Sequence, residues 1–155
     1  METIVVERTI NAPIDQVFDL LSDHANYKQF EGIRNSWLVK EGSEDPNGDG
    51  AIRRIDLGAV WFEEEISNFS RPHGMDYRIL RSRPPIEHES GRIQLRETQE
   101  GTTVTWTSTF RVRLPLIGRV LSPMAAKAGT KAFGGLLKSI DRRLSETASR
   151  ADARN

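Results

Sequence analysis

The stretch that decides the fold is Ser122-Pro123-Met124-Ala125-Ala126-Lys127-Ala128-Gly129-Thr130-Lys131-Ala132-Phe133-Gly134-Gly135-Leu136-Leu137-Lys138-Ser139-Ile140-Asp141-Arg142-Arg143-Leu144. Met124, Ala125, Ala128, Ala132, Phe133, Leu136, Leu137, Ile140 and Leu144 recur at the spacing of one helix face. Ser122-Pro123 suits a cap and first helical position. A start near Gly118, with Pro123 in an early turn, is the alternative. Gly134-Gly135 is unusual inside a helix, because each glycine costs about 1 kcal/mol against alanine. The pair reads as a bend, a close approach to a neighbouring element, or a plain surface pair.

Upstream, the period changes from helical to alternating. Thr3 to Ile10 is rich in β-branched residues and reads as a strand. After Ala12-Pro13, the residues Ile14, Val17, Phe18 and Leu21 follow at helical spacing, and Asp23 to Asn26 ends that helix. A short second turn covers Tyr27 to Phe30. Strands are expected at Ile33–Lys40, Ala51–Leu57, Val60–Phe69, Met75–Arg81, Gly91–Thr98 and Thr102–Val112. Polar, glycine-rich and proline-rich turns separate them. The order is β-α-α-β-β-β-β-β-β-α. A sheet with one apolar face needs a cover, and the last helix is the large one available. A twisted sheet curving around one helix leaves room for a ligand beside it.

The chain has 155 residues, 37% hydrophobic and 28% charged, which suits one domain with one core, expected over 1–147, with 148–155 as a frayed tail. Lys+Arg and Asp+Glu balance at 22 each. No basic excess exists to drive nucleic-acid binding or strong attraction to an anionic membrane. There are no cysteines, so disulfides, thiolate metal sites and a cysteine nucleophile are excluded. No apolar run reaches the ~20 residues that span a bilayer, and no signal-peptide pattern opens the chain. The expected location is cytoplasmic, and the oligomeric state, monomer or homodimer, stays open.

Ile10-Asn11-Ala12-Pro13, Val17-Phe18 and Leu21-Ser22-Asp23 resemble the opening of the START-like helix-grip (SRPBCC) superfamily. Gly50-Ala51-Ile52-Arg53, Glu64-Glu65-Ile66 and Thr103-Val104-Thr105-Trp106 lie where that superfamily has similar runs. The resemblance covers about Thr3 to Glu146. It implies an α+β helix-grip fold, a curved antiparallel sheet wrapped around a long C-terminal helix. It includes polyketide cyclases and dehydratases, pollen-allergen-like proteins and lipid-transfer domains, so it implies no single function.

Strand parity proposes the inner face from the residues alone. With Gly58-Ala59 as a two-residue loop, Leu57 faces Val60, Ile55 faces Phe62 and Arg53 faces Glu64. This face is more apolar than the one carrying Arg54, Asp56, Trp61, Glu63 and Glu65, so it points inward. Arg53 and Glu64 then form an inner ion pair. It either orients a polar ligand group or is a structural bridge at a strand end, with the arginine reaching water; Glu64→Gln is expected to leave the fold intact. With Glu100-Gly101 as the second turn, Glu97 faces Val104, Leu95 faces Trp106 and Ile93 faces Ser108, with Phe110 and Val112 continuing inward. The threonines from Thr103 to Thr109 would be exposed. Trp106, Trp37 and Tyr77 are candidate cavity aromatics, Phe30 closes the entrance, and Phe133 and Leu137 face the sheet from the helix.

His24, His73 and His88 fall in turns or loops, and none has metal-ligand spacing with another. No metal or cofactor is expected, and there is no phosphate loop or nucleophile elbow. The expected role is binding or carriage of a small hydrophobic molecule. A polyketide cyclase/dehydratase-like enzyme is the alternative, with Glu64 as base, Tyr77 as acid or donor and Arg53 as stabiliser of an enolate. A cochaperone-type interaction module is the third.

Overall fold

The computed structural model describes all 155 residues, Met1–Asn155. The elements are β1 (Glu2–Ile10), α1 (Ile14–Ser22), a 3-10 turn α2 (His24–Gln29), β2 (Asn35–Lys40), β3 (Ile52–Asp56), β4 (Trp61–Ser70), β5 (Gly74–Arg83), β6 (Ile86–Thr98), β7 (Gly101–Val112) and α3 (Gly118–Ala153). All seven strands form one antiparallel sheet in the order β1-β7-β6-β5-β4-β3-β2. This is the helix-grip α+β architecture.

The long helix uses the earlier start. Ser122 explains why Pro123 does not set the boundary. Its Oγ accepts the Val112 N–H at 3.0 Å and donates to the Gly118 carbonyl at 2.7 Å. One hydroxyl thus ties the first turn of α3 to the end of β7. The far end continues as helix to Ala153, with every side chain from Ser145 onward exposed.

The first hairpin has the predicted register, Arg53↔Glu64 and Ile55↔Phe62, closed by Leu57 N–H to the Val60 carbonyl at 2.9 Å. The second differs. Gln99-Glu100 forms the turn, so Thr98 faces Gly101, Leu95 faces Val104, Ile93 faces Trp106 and Gly91 faces Ser108. Glu97 faces Thr102 and not Val104. A slip of two residues keeps each side chain on its face, so the inner set is unchanged although its partners are not.

The core cluster joins α1, α2, the inner sheet face and Leu136, Leu137 and Ile140 of α3. Helix α3 packs on β1 and β7, while α2 covers β2 and β3. Gly129 allows the first contact, since a Cβ there would lie 2.5 Å from Ile4 Cδ1. The threonines of β7 are not simply exposed. Thr103 is buried and shares a 2.8 Å hydrogen bond with Thr9 across to β1.

Candidate functional site

The inner sheet face carries a polar cluster inside an apolar surround. It is built on Arg53, which the first hairpin aims inward from β3 opposite Glu64. Arg53 is 1% exposed, so it does not reach water, and the strand-end bridge expected as one alternative is instead buried. Its Nε donates to Glu64 Oε2 at 2.7 Å. Its Nη1 donates to His24 Nδ1 and to the Tyr27 hydroxyl, both at 3.1 Å. The guanidinium lies 5.0 Å from the Tyr27 ring centroid and 5.4 Å from that of Tyr77.

A guanidinium can only donate, which fixes the proton pattern. His24 accepts at Nδ1, so its proton is on Nε2 and is donated to the Asn47 carbonyl at 2.8 Å. Tyr27 accepts from Arg53 and donates to the Leu21 carbonyl. Burial first, then the Arg53 charge, lowers the His24 pKa to about 3 against the pull of the Asn47 carbonyl. Burial opposes the Arg53 charge too, but Glu64 and Tyr27 offset it, and its pKa is raised. Nη2 of Arg53 and Oε1 of Glu64 make no hydrogen bond within the protein.

Tyr77 joins this cluster to a second one. Its hydroxyl accepts Trp106 Nε1–H at 2.9 Å, with the two rings edge to face at 6.4 Å. Its ring stacks on His88 at 5.3 Å. His88 Nδ1 accepts the Ile79 N–H at 3.0 Å, so Nε2 carries the proton and donates to Ser108 Oγ at 3.0 Å. Burial, then the Arg78 charge, lowers the His88 pKa to about 4. Burial and the Glu64 charge raise the Tyr77 phenol well above its ordinary value, against the hydrogen bond that Trp106 donates to it. Gly91 permits the arrangement. It faces Tyr77 in the ladder, and a Cβ there would sit 2.3 Å from the ring.

The predicted residues divide as follows. Arg53, Glu64, Tyr77, Leu95, Trp106, Ser108 and Leu137 are buried and face inward. Phe133 stacks on Trp106 at 4.3 Å and 12°. Phe62 is half-buried opposite Ile55, and Phe110 is buried near the start of α3. Phe30 is 4% exposed and packs edge-on to Tyr27, so it belongs to the core. Trp37 is the correction. It pairs with Arg54 on the outer face, is 39% exposed and cannot line the interior. The outward ladder position explains it, because β2 presents Ser36 and Leu38 inward.

His24 and His88 were missed as interior residues. Each was read as a loop histidine, yet they are 0% and 5% exposed. His88 lies on β6, which begins five residues before the expected strand. An irregularity between His88 and Ser90 restores its inward parity. No alternation in the sequence shows such an insertion. His24 is carried inward by the 3-10 turn, and nothing in its neighbours marks that.

The two described grooves lie outside the helix–sheet interior. One, of about 270 Å³, runs over β4 to β6 beside Asn68, His73 and Arg92. The other, of about 490 Å³, lies between Asn11–Ile14 and the β6–β7 turn. No three histidine or carboxylate side chains converge as a metal site would require. No helix is long and apolar enough to cross a membrane.

One antiparallel sheet packed on one long helix, with buried polar groups on the sheet's inner face, is the START-like helix-grip fold. Residues 1–145 match the family described as polyketide cyclase / dehydrase and lipid transport, and the chain belongs to that family. A START superfamily protein from Mycobacterium smegmatis is similar in fold, with 14% identity, TM-score 0.76 and coverage of 94% of this chain and 98% of that one. A protein from Thermus thermophilus shares 20% identity at TM-score 0.75, covering 94% of this chain and 99% of that one. DynU16, from the dynemicin biosynthetic locus, shares 18% identity at TM-score 0.63, covering 94% of this chain and 48% of that one. Comparison with curated proteins gave no match.

Proposed function

We propose that the protein binds and carries a small hydrophobic molecule that bears one polar group, held between α3 and the inner sheet face. The observation that carries this reading is the fully buried Arg53 with Nη2 unbonded, beside the unbonded Oε1 of Glu64. Neither atom is among the fully sealed polar atoms that lack a partner, so each keeps some accessible surface, and a ligand hydroxyl would accept from Nη2 and donate to Oε1. The apolar part of the ligand would lie against Trp106, Phe133 and Leu137.

In the present conformation Phe133 occupies the space against Trp106. Binding therefore requires that ring to swing away. Gly134 and Gly135 follow it directly, and a Cβ on either would touch nothing within 4 Å. Packing thus does not require these glycines, whereas a flexing point in α3 would use them.

The cyclase reading has less support from the same residues. Tyr77 holds its proton more tightly than a free phenol, which suits a hydrogen-bond donor better than an acid. Three of the Arg53 hydrogen bonds already go to Glu64, His24 and Tyr27.

Native mass spectrometry of freshly purified protein, followed by titration with the neutral fluorophore N-phenylnaphthylamine, tests the carrier reading. The expected results are a co-purified small molecule and saturable probe binding. Phe133→Trp, which adds bulk against Trp106, is expected to weaken the probe while the protein stays folded. A chain with no bound molecule and no saturable probe binding overturns the reading.

A further inference from the structure

The balanced charge of the whole chain conceals a separation. From Gly101 to Ile140 there are six lysines and arginines and no aspartate or glutamate. Arg111 is paired with Glu87, and none of the other five makes an ion pair. The first acid of α3, Asp141, is paired with Arg8. The acids of the α3 tail, Glu146 and Asp152, lie at its far end.

The same segment holds the three most exposed large apolar side chains of the molecule, Leu116, Val120 and Met124, with Ile117 beside them. Leu116 is 100% exposed, Val120 66%, Met124 63% and Ile117 52%. Leu116 is also held at φ 66°, a conformation that a leucine seldom adopts. The turn before α3 is closed by Gly118 N–H to the Leu114 carbonyl and Ile117 N–H to the Pro115 carbonyl. That turn presents Leu116 wholly to solvent. Val120, Met124, Lys127 and Lys131 follow at intervals of four, three and four residues. They therefore share one exposed face of α3, opposite the face that buries Leu136, Leu137 and Ile140.

We infer that this turn and the first turns of α3 dock on an anionic lipid surface, the aliphatic tip entering the headgroup boundary and the lysines resting on the anionic heads. An amphipathic helix of this kind lies in the interface without spanning it. Charge complementarity selects this partner. In a two-fold contact between copies the same face meets itself, so the lysine stripes would face one another and repel. The separate lysine charges suit a diffuse layer of phosphates and carboxylates better than one bidentate partner. Docking requires no ligand, so the two readings fail separately.

Co-sedimentation of the full chain with vesicles tests the inference. The vesicles are phosphatidylcholine alone, or phosphatidylcholine with phosphatidylserine as about a third of the lipid. The expected result is binding to the anionic vesicles only, weakening as salt rises from roughly 0.05 to 0.5 M. The pair Val120→Asp and Met124→Asp is expected to lower partitioning at least about tenfold, and Lys127→Glu with Lys131→Glu similarly. Neither pair should change the melting temperature, since all four side chains are exposed. Equal binding to neutral vesicles, no binding to either, or wild-type partitioning by the Asp pair overturns the inference. So does self-association that the same variants abolish, which would identify a second copy. Capture of an acidic polypeptide such as polyglutamate without vesicle binding would identify a protein partner and also overturn it.

Discussion

Arg53 is the residue on which the interior depends. Breaking a buried ion pair from one side leaves an uncompensated charge and costs about 3–5 kcal/mol. Glu64→Gln is therefore expected to lower stability by roughly that amount, and not to leave it unchanged as a bridge reaching water would. Urea unfolding monitored by circular dichroism checks this. The double change Arg53→Met and Glu64→Leu removes both charges and should recover much of the loss. If Glu64→Gln matches the parent in urea midpoint, the pair is not structural. Gly91 is a second single-residue constraint. A methyl group at that position must displace the Tyr77 ring and break the bond from Trp106 Nε1, so Gly91→Ala should cost about 1–3 kcal/mol and alter Trp106 fluorescence. Unchanged emission with unchanged stability would contradict the close contact.

At the scale of elements, legibility depended on whether two strands were joined by a short turn. The first hairpin has a two-residue loop whose glycine, at φ 103°, fits it, and parity from that loop placed Arg53, Ile55, Phe62 and Glu64 together. The second hairpin turns one residue earlier than expected, a register slip of two, yet the inner set survives because the side-chain period is two. Trp37 had no such anchor, since the long loop from Glu41 to Gly50 separates β2 from β3 and fixes no register. His88 was hidden by the irregularity before Ser90, and His24 by a turn without periodicity. The middle of the long helix was legible, but its start was open between Gly118 and Ser122, its end was expected to fray where helix continues to Ala153, and its charge separation was masked by a neutral total. The glycine pair of α3 carries the prediction of this scale. A Cβ fits at both positions, so Gly134→Ala and Gly135→Ala should each stabilise the helix by up to about 1 kcal/mol. That is a rise in melting temperature of about 2–4 °C for a domain of this size. A fall in melting temperature at either position would mean that the glycine conformation is required.

For the molecule as a whole, the two buried histidines set how stability responds to acid. His24 and His88 are neutral when folded, with pKa values lowered to about 3 and about 4, whereas both approach 6.5 when the chain unfolds. Below pH 6.5 the unfolded chain takes up protons that the folded chain refuses. Stability is therefore complete above pH 6.5 and falls as the pH drops toward 4. Each histidine contributes a slope of about 1.4 kcal/mol per pH unit once the unfolded form is fully protonated. The lowered carboxyl groups, Glu63 beside Arg81 and Asp76 beside Arg92, act in the same direction but only below about pH 4.5. From pH 6 to 5 the fall thus belongs to the histidines. A domain typically holds about 5–15 kcal/mol in reserve, so unfolding is expected before the folded histidines protonate. Urea midpoints measured at half-unit intervals from pH 7.5 to 4.5 should trace this slope, and His88→Gln should reduce it by about half even though it starts from a lower stability. A parent midpoint that stays level across that interval would show that neither imidazole is held neutral by the fold. The Arg53 network would then lose the proton arrangement that joins α2 to β3.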